Sequence, residues 1–382
     1  MSDNVIILGA GASVDAGIPL LSNFVDKMWE LATRGTYKGK ALSDDDKNIF
    51  NEAMKVRDEL DGYHGRASFD DRNIEDILSI LSFNLIGGDA SDQDKLSWMT
   101  KAIARTIELT CDVKHDGALD KIQEEGNNIY KDFWFHLFQR FKNAAKSFPT
   151  IISFNYDLVL ERSLFQALVG AHYSLNDDNK LLPFDGMNLI YQYKYVDDTS
   201  YAFQDQVYKG YSQTKRGLKL ERCKPNILKH PVDIEILKLH GSLNFPSSPQ
   251  NDYDFIPTSL ANDPYIIPPI INKSISTEQT MWGAGIRRLR EAKNIIIVGY
   301  SLPQTDIYIQ YFIKAGIGPN RNLNKVYVFN PALARNSKEN ERMQERFGNC
   351  FSPQLKNRIE FYDETFQGFV TNWIDSQRVF FS

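Results

Sequence analysis

Short apolar runs rich in β-branched residues alternate along this chain with stretches of helical spacing. Val5-Ile6-Ile7-Leu8 runs straight into glycines, the pattern of a fully buried parallel strand that ends in a tight turn. From Ser22 the spacing turns helical, with Phe24, Val25, Met28, Trp29 and Leu31 ahead of Gly35. Strand, glycine turn and helix therefore occur in succession. Residues 42 to 148 contain no convincing strand and carry helical patches instead, such as Ile74 to Leu81 and Phe133 to Phe138.

Strand-like runs return at Thr150-Ile151-Ile152-Ser153, with helical spacing from Tyr156 to Leu168. Segment 170–232 is rich in Asp, Tyr, Lys and Gly, with weak alternation from Leu189 to Tyr195. Three further strands are predicted at Glu235 to Leu239, Ile295 to Val298 and Val326 to Phe329, with a helix over 279–292 between the first two. Arg358 to Tyr362 is one more candidate, and Glu364 to Ile374 reads as a closing helix.

Strands alternating with helices give an α/β fold: a Rossmann-like, doubly wound, mainly parallel sheet. It carries a large all-helical insertion and a second, mixed insertion. The expected division is 1–35 with 148–382 as the α/β domain, 36–147 as the helical insertion, and 170–232 as an irregular insertion within the α/β domain.

The chain has 382 residues, 42% hydrophobic and 24% charged, the balance of an ordinary globular protein with a sizeable core. A formal charge of -5 argues against a globally basic nucleic-acid binder. Cys111, Cys223 and Cys350 are far apart and form no Cys-x-x-Cys knuckle, which predicts a reducing, cytoplasmic setting and no metal site. No stretch approaches the ~20 apolar residues that span a bilayer, and the N-terminus does not read as a signal peptide.

The chemistry sits at predicted strand ends. In Gly9-Ala10-Gly11-Ala12-Ser13 the glycines let the backbone turn sharply, and amides at the next helix start face an anionic phosphate. The same loop also reads as a tight turn with no ligand. A hydride-transfer fingerprint would put a third glycine at position 14 and an acidic residue at the end of a second strand about 20 residues on. Position 14 is Val, and the residues after it are helical in spacing.

Taken alone, Asn155 in Ser153-Phe154-Asn155-Tyr156-Asp157 reads as a helix cap and Asp157 as a first-turn charge. His240 in Leu237-Lys238-Leu239-His240-Gly241-Ser242 lies just after an apolar strand and is succeeded by two small residues. It suits base chemistry near neutral pH, and it equally suits a structural role. His64, His115, His136, His172 and His230 have no such setting.

The run Gly9-Ala10-Gly11-Ala12-Ser13-Val14-Asp15-Ala16-Gly17-Ile18-Pro19 resembles the opening motif of the sirtuins, whose loop goes on to cover the nicotinamide end of NAD. Ser153 to Asp157 resembles the Thr-x-Asn-Tyr-Asp form of sirtuin-like bacterial proteins. His240 falls where sirtuins carry a proton-accepting histidine. Gly299-Tyr300-Ser301-Leu302 and Asn330 stand at two later strand ends, and Asp306 also fits the pattern.

By that resemblance Asn155 and His240 are the catalytic residues, Asn155 positioning the water or ribose hydroxyl. NAD as substrate would be held by Gly9, Ala10, Gly11, Ala12, Ser13, Gly17, Tyr156, Asp157, Gly299, Ser301 and Asn330. The resemblance covers roughly 1–30, 148–168 and 234–332.

The chain departs from protein-deacylating sirtuins in lacking two Cys-x-x-Cys pairs, so no structural zinc is expected. Leu20-Leu21 also stands where sirtuins commonly have Phe-Arg. The combination resembles sirtuin-like NAD hydrolases of bacterial anti-phage defence. That resemblance implies an NAD-depleting enzyme, a homo-oligomer and a HerA-like ring ATPase as partner, with no membrane and no direct nucleic-acid contact. A deacylase, an ADP-ribosyltransferase and a non-catalytic NAD or ADP-ribose sensor are the alternatives.

Overall fold

In the computed structural model the apolar runs of the sequence become neighbours in one sheet; the residues described are 3–62, 70–88, 91–115, 122–126, 128–140, 148–173, 186–191, 206–213, 217–223, 231–246, 256–267, 279–334 and 338–375. In the middle of the sheet's parallel part is β1 (Asn4–Leu8), buried at every position, as a β-branched run covered on both faces should be. The glycine loop does not enter a regular α-helix. It winds into a 3-10 turn over Ala10–Ala16, closed at Gly17, and α1 begins only at Phe24 (Phe24–Arg34).

A hairpin of β2 (Thr36–Tyr37) and β3 (Lys40–Ala41) leads to α2 (Asp44–Asp61), α3 (Ile74–Ile86) and α4 (Asp92–Thr110). Capping fixes two of the helix starts: Ser43 Oγ accepts from Asp46 N at 3.1 Å, and Asn73 Oδ1 from Glu75 N at 2.9 Å. Arg105 ties α4 to α2 by donating to both oxygens of Asp46, at 2.6 and 3.1 Å. The expectation of an all-helical segment misses a second hairpin, β4 (Val113–His115) with β5 (Ile122–Glu124), whose three-residue strands are too short to show a period.

Next, α5 (Ile129–Arg140) leads to β6 (Thr150–Ser153) and packs against α6 (Val159–Tyr173) beyond it. Trp134 is fully buried there and donates Nε1 to Leu160 O at 2.9 Å.

Segment 170–232 differs from its expected irregularity. Within it β7 (Gly186–Tyr191), β8 (Gln206–Gln213) and β9 (Gly217–Cys223) extend the sheet. Their polar composition suits an edge and masks the alternation; residues 192–195 of the predicted run lie outside the described residues.

The chain then forms β10 (Pro231–Lys238), an antiparallel pair β11 (Gly241–Pro246) and β12 (Pro264–Ile266), α7 (Gln279–Glu291) and β13 (Asn294–Val298). It continues through α8 (Ile307–Ile317), β14 (Lys325–Phe329), α9 (Lys338–Gly348), α10 (Pro353–Lys356) and β15 (Ile359–Tyr362). The predicted closing helix is a short turn at Phe366–Gly368 and a wider coil over Phe369–Asp375.

The nine strands run in the order β15-β14-β13-β1-β6-β10-β7-β8-β9. The seven from β15 to β7 are parallel, and β8 and β9 are antiparallel additions. This is a doubly wound α/β sheet of Rossmann type. After β1 the chain moves to β6 on one side, and only later does it cross to β13 on the other. The connections thus diverge at β1, and the crevice outside the strand ends at such a switch point is where open α/β sheets bind ligands. No helix among the described residues is long and apolar enough to cross a membrane.

Candidate functional site

Two glycine turns interlock over the switch point. Gly11 N donates to Gly299 O at 2.8 Å, and Gly9 N to Val298 O at 3.0 Å. Gly299 has φ +66, and a Cβ there would lie 2.2 Å from Ala12 N; one at Gly9 would lie 2.5 Å from Tyr300 Cβ. These glycines are therefore required by backbone packing against backbone, a constraint that holds with or without a ligand. Ala10 remains exposed at the turn.

Leu302, closing the second turn, is fully buried with φ +50. A bulky side chain in this region costs about 1–3 kcal/mol, strain that collects at functional sites.

The turn after β6 delivers Asn155 and Asp157 to the same place. Asn155 Nδ2 donates to Gly9 O and to Ser13 Oγ, both at 2.9 Å. Ser13 Oγ donates onward to Asp157 Oδ2 at 2.7 Å and lies 3.4 Å from the Tyr130 hydroxyl. The other Asp157 oxygen accepts from Val159 N at 3.1 Å, capping α6. So Asp157 performs the capping role that the alternative reading gave to Asn155. The amide of Asn155 is 8% exposed, and its Oδ1 has no hydrogen-bond partner among the described residues.

His240 stands just past the end of β10, 6% exposed. Its carbonyl accepts from Ile267 N at 2.8 Å, and Gly241 pairs with Ile266, so the β11–β12 pair holds its backbone. The Phe154 ring lies 5.2 Å from the imidazole on one side and 4.8 Å from Tyr300 on the other, and Trp282 lies 6.3 Å from the imidazole. His240 thus sits in an aromatic cluster whose Phe154 directly precedes Asn155 in the chain. Tyr300 donates to Asp306 Oδ2 at 2.8 Å, and burial, then the charge of Asp306, raises its hydroxyl well above the ordinary tyrosine value.

The remaining predicted residues are distributed around this centre. The Tyr156 hydroxyl donates to Ile267 O at 2.5 Å, just past β12. Gly17 is exposed and packs its backbone beside Thr110 O and Asp112. The carbonyl of half-buried Ser301 accepts from Arg346 Nε at 3.2 Å. Asn330 caps a local turn, accepting from Ala332 N at 2.9 Å. It belongs to the same rim because Gly299 N donates to the preceding residue's carbonyl, Phe329 O, at 3.0 Å.

Sequence reasoning singled out neither Phe154, Tyr130 nor Trp282 as site residues, since each reads as an ordinary apolar core position. It also passed over Lys238, a charge within an apolar strand, which was the available signal. Among the described residues no group of three or more His, Cys, Asp or Glu is placed to hold a metal ion. Cys111 and Cys350 are buried free thiols, while the side chains of His64, His172 and His230 lie outside the described residues.

No protein-family model matches the chain, and a comparison with curated sequences finds no match. Among solved structures, it is similar to a mutant Sir2 homologue in complex with ADP-ribose, at 11% identity and a TM-score of 0.34, covering 98% of this chain and 91% of that one. A second mutant Sir2 homologue complex with ADP-ribose aligns at 12% identity and 0.35, over 98% and 91%. A third, with 2'-O-acetyl ADP-ribose, aligns at 10% and 0.34, over 99% and 92%.

Proposed function

We propose that this chain cleaves NAD at the bond between nicotinamide and ribose, with water as acceptor. The observation that carries the reading is the state of Asn155. Both contacts of its NH2 group are fixed, to Gly9 O and Ser13 Oγ, which leaves Oδ1 as a buried acceptor with no partner among the described residues. A buried polar atom of this kind calls for an explanation, and a reacting water or sugar hydroxyl supplies one.

In this reading the NAD pyrophosphate lies along the Ala10–Ser13 turn and the rim formed by Ser301 and Asn330. Asn155 Oδ1 accepts a hydrogen bond from the attacking water. Nicotinamide leaves, the anomeric carbon gains a hydroxyl oxygen from water, and His240 takes up a proton from a ribose hydroxyl that the proton shed by the water restores. The net change is NAD plus water to ADP-ribose, nicotinamide and a proton. Asp157 acts through Ser13, holding the hydroxyl that orients Asn155. A preoriented acceptor in a water-poor pocket contributes most where charge develops.

The motif resemblance extends the proposal. The enzyme would deplete NAD in anti-phage defence, in the cytoplasm, as a homo-oligomer beside a HerA-like ATPase. Segment 36–147 would be an insertion that makes subunit contacts; Phe83 and Ile86 on α3, 52% and 69% exposed, suit that use. Product analysis tests the reaction: free ADP-ribose supports hydrolysis, acetylated or protein-linked ADP-ribose a transferase, and tight binding without turnover a sensor.

A further inference from the structure

Beneath the reacting groups, β10 carries a lysine among apolar neighbours. Lys238 is 1% exposed and Glu161 on α6 is fully buried, and their charged ends lie 3.2 Å apart. The Lys238 ammonium also donates to the carbonyl oxygen of Asp157. Tyr191 donates to Glu161 Oε1 at 2.7 Å, and Oε2 has no hydrogen-bond partner among the described residues. A buried ion pair is costly to desolvate and can often be replaced by apolar side chains without loss of stability, so stability alone gives little reason for it.

Its position gives a better one. Strands β6 and β10 stay in register up to Lys238 opposite Ser153, where Leu239 N donates to Ser153 O at 3.0 Å. Past that rung the ladder stops until Leu243 N donates to Tyr156 O at 2.9 Å, and between these two main-chain ties one chain carries Asn155 and the other His240. The Lys238 ammonium adds a buried side-chain tie at the Asp157 carbonyl; Asp157 is two residues after Asn155, and Lys238 is two before His240. We infer that Lys238 is a positioning residue that sets the separation of Asn155 and His240, with Glu161 fixing its ammonium. The inference rests on the NAD-cleaving reading for its catalytic consequence, though not for its geometry.

The test compares wild type, Lys238→Met and the Lys238→Met/Glu161→Gln double variant in the full chain. The single variant strands a buried carboxylate and lowers the thermal midpoint, whereas the double variant removes both charges and recovers it. If Lys238 positions the site, the double variant keeps kcat for nicotinamide release ~10-fold or more below wild type, because small misplacements of reacting groups are costly. KM for NAD stays near wild type, and a crystal structure shows the main chain at Asp157 displaced from β10. Recovery of kcat together with stability, and residues 154–158 unmoved, overturns the inference. Wild-type protein that releases no nicotinamide defeats the activity reading alone, and the crystallographic position of 154–158 then decides the role of Lys238.

Discussion

Ser13 donates its hydroxyl hydrogen to Asp157 at 2.7 Å, joining the turn after β1 to the turn after β6 across 144 positions of sequence. The same oxygen accepts from Asn155, so one hydroxyl organises both carboxyl-end loops. Ser13→Ala leaves a buried Asp157 oxygen without its donor and removes one of the two acceptors of the Asn155 amide, leaving Gly9 O. We expect a stability loss of about 1–3 kcal/mol by urea denaturation. Nicotinamide release should fall further than that loss explains, read under conditions where the variant is fully folded.

The interlocked glycines make a sharper structural prediction. Gly299→Ala places a Cβ 2.2 Å from Ala12 N at a φ of +66, so it is expected to destabilise by ~2 kcal/mol or more and to displace the Gly9–Ser13 turn. Gly283→Ala, in the interior of α7 where the nearest atom is Arg287 Nη1 at 3.6 Å, should stabilise by up to about 1 kcal/mol. Thermal midpoints of the two variants, measured side by side, check both signs.

Alkaline pH should weaken the fold. Burial pushes the Cys111 thiol up to about 12 from an ordinary 9.0. Burial, followed by the charges of Asp157, Glu161 and Asp306 respectively, raises Tyr130, Tyr191 and Tyr300 well above 10.0. In each case the folded state holds its proton more tightly than the unfolded chain. Stability is therefore full below the unfolded values and is lost as pH climbs from about 9 through the folded ones. A thermal midpoint that is level near neutrality and falls beyond about pH 9 is the expected profile. A level profile to pH 11, on the order of the buried groups' range, would show them readily ionised.

Much of the fold is legible because its central strands are extreme. Every residue of β1, β6 and β13 is buried, so each appears as a continuous apolar run. The strands β7 to β9 are obscured by half-polar composition, and the β4–β5 hairpin by brevity. At the site, Asn155, Asp157 and His240 stand out through their motifs. Their supports do not: Tyr130 reaches Ser13 from α5, and Lys238 reaches Asp157 from inside the sheet. Contacts of that kind join residues far apart in sequence and leave no local pattern.

The most direct test is nicotinamide release from NAD by the purified protein, alone and with a HerA-like ATPase, for wild type, Asn155→Ala and His240→Ala. The account predicts release by wild type that either substitution abolishes while folding and NAD binding persist. Release that survives both substitutions, or none from wild type under either condition, would contradict it.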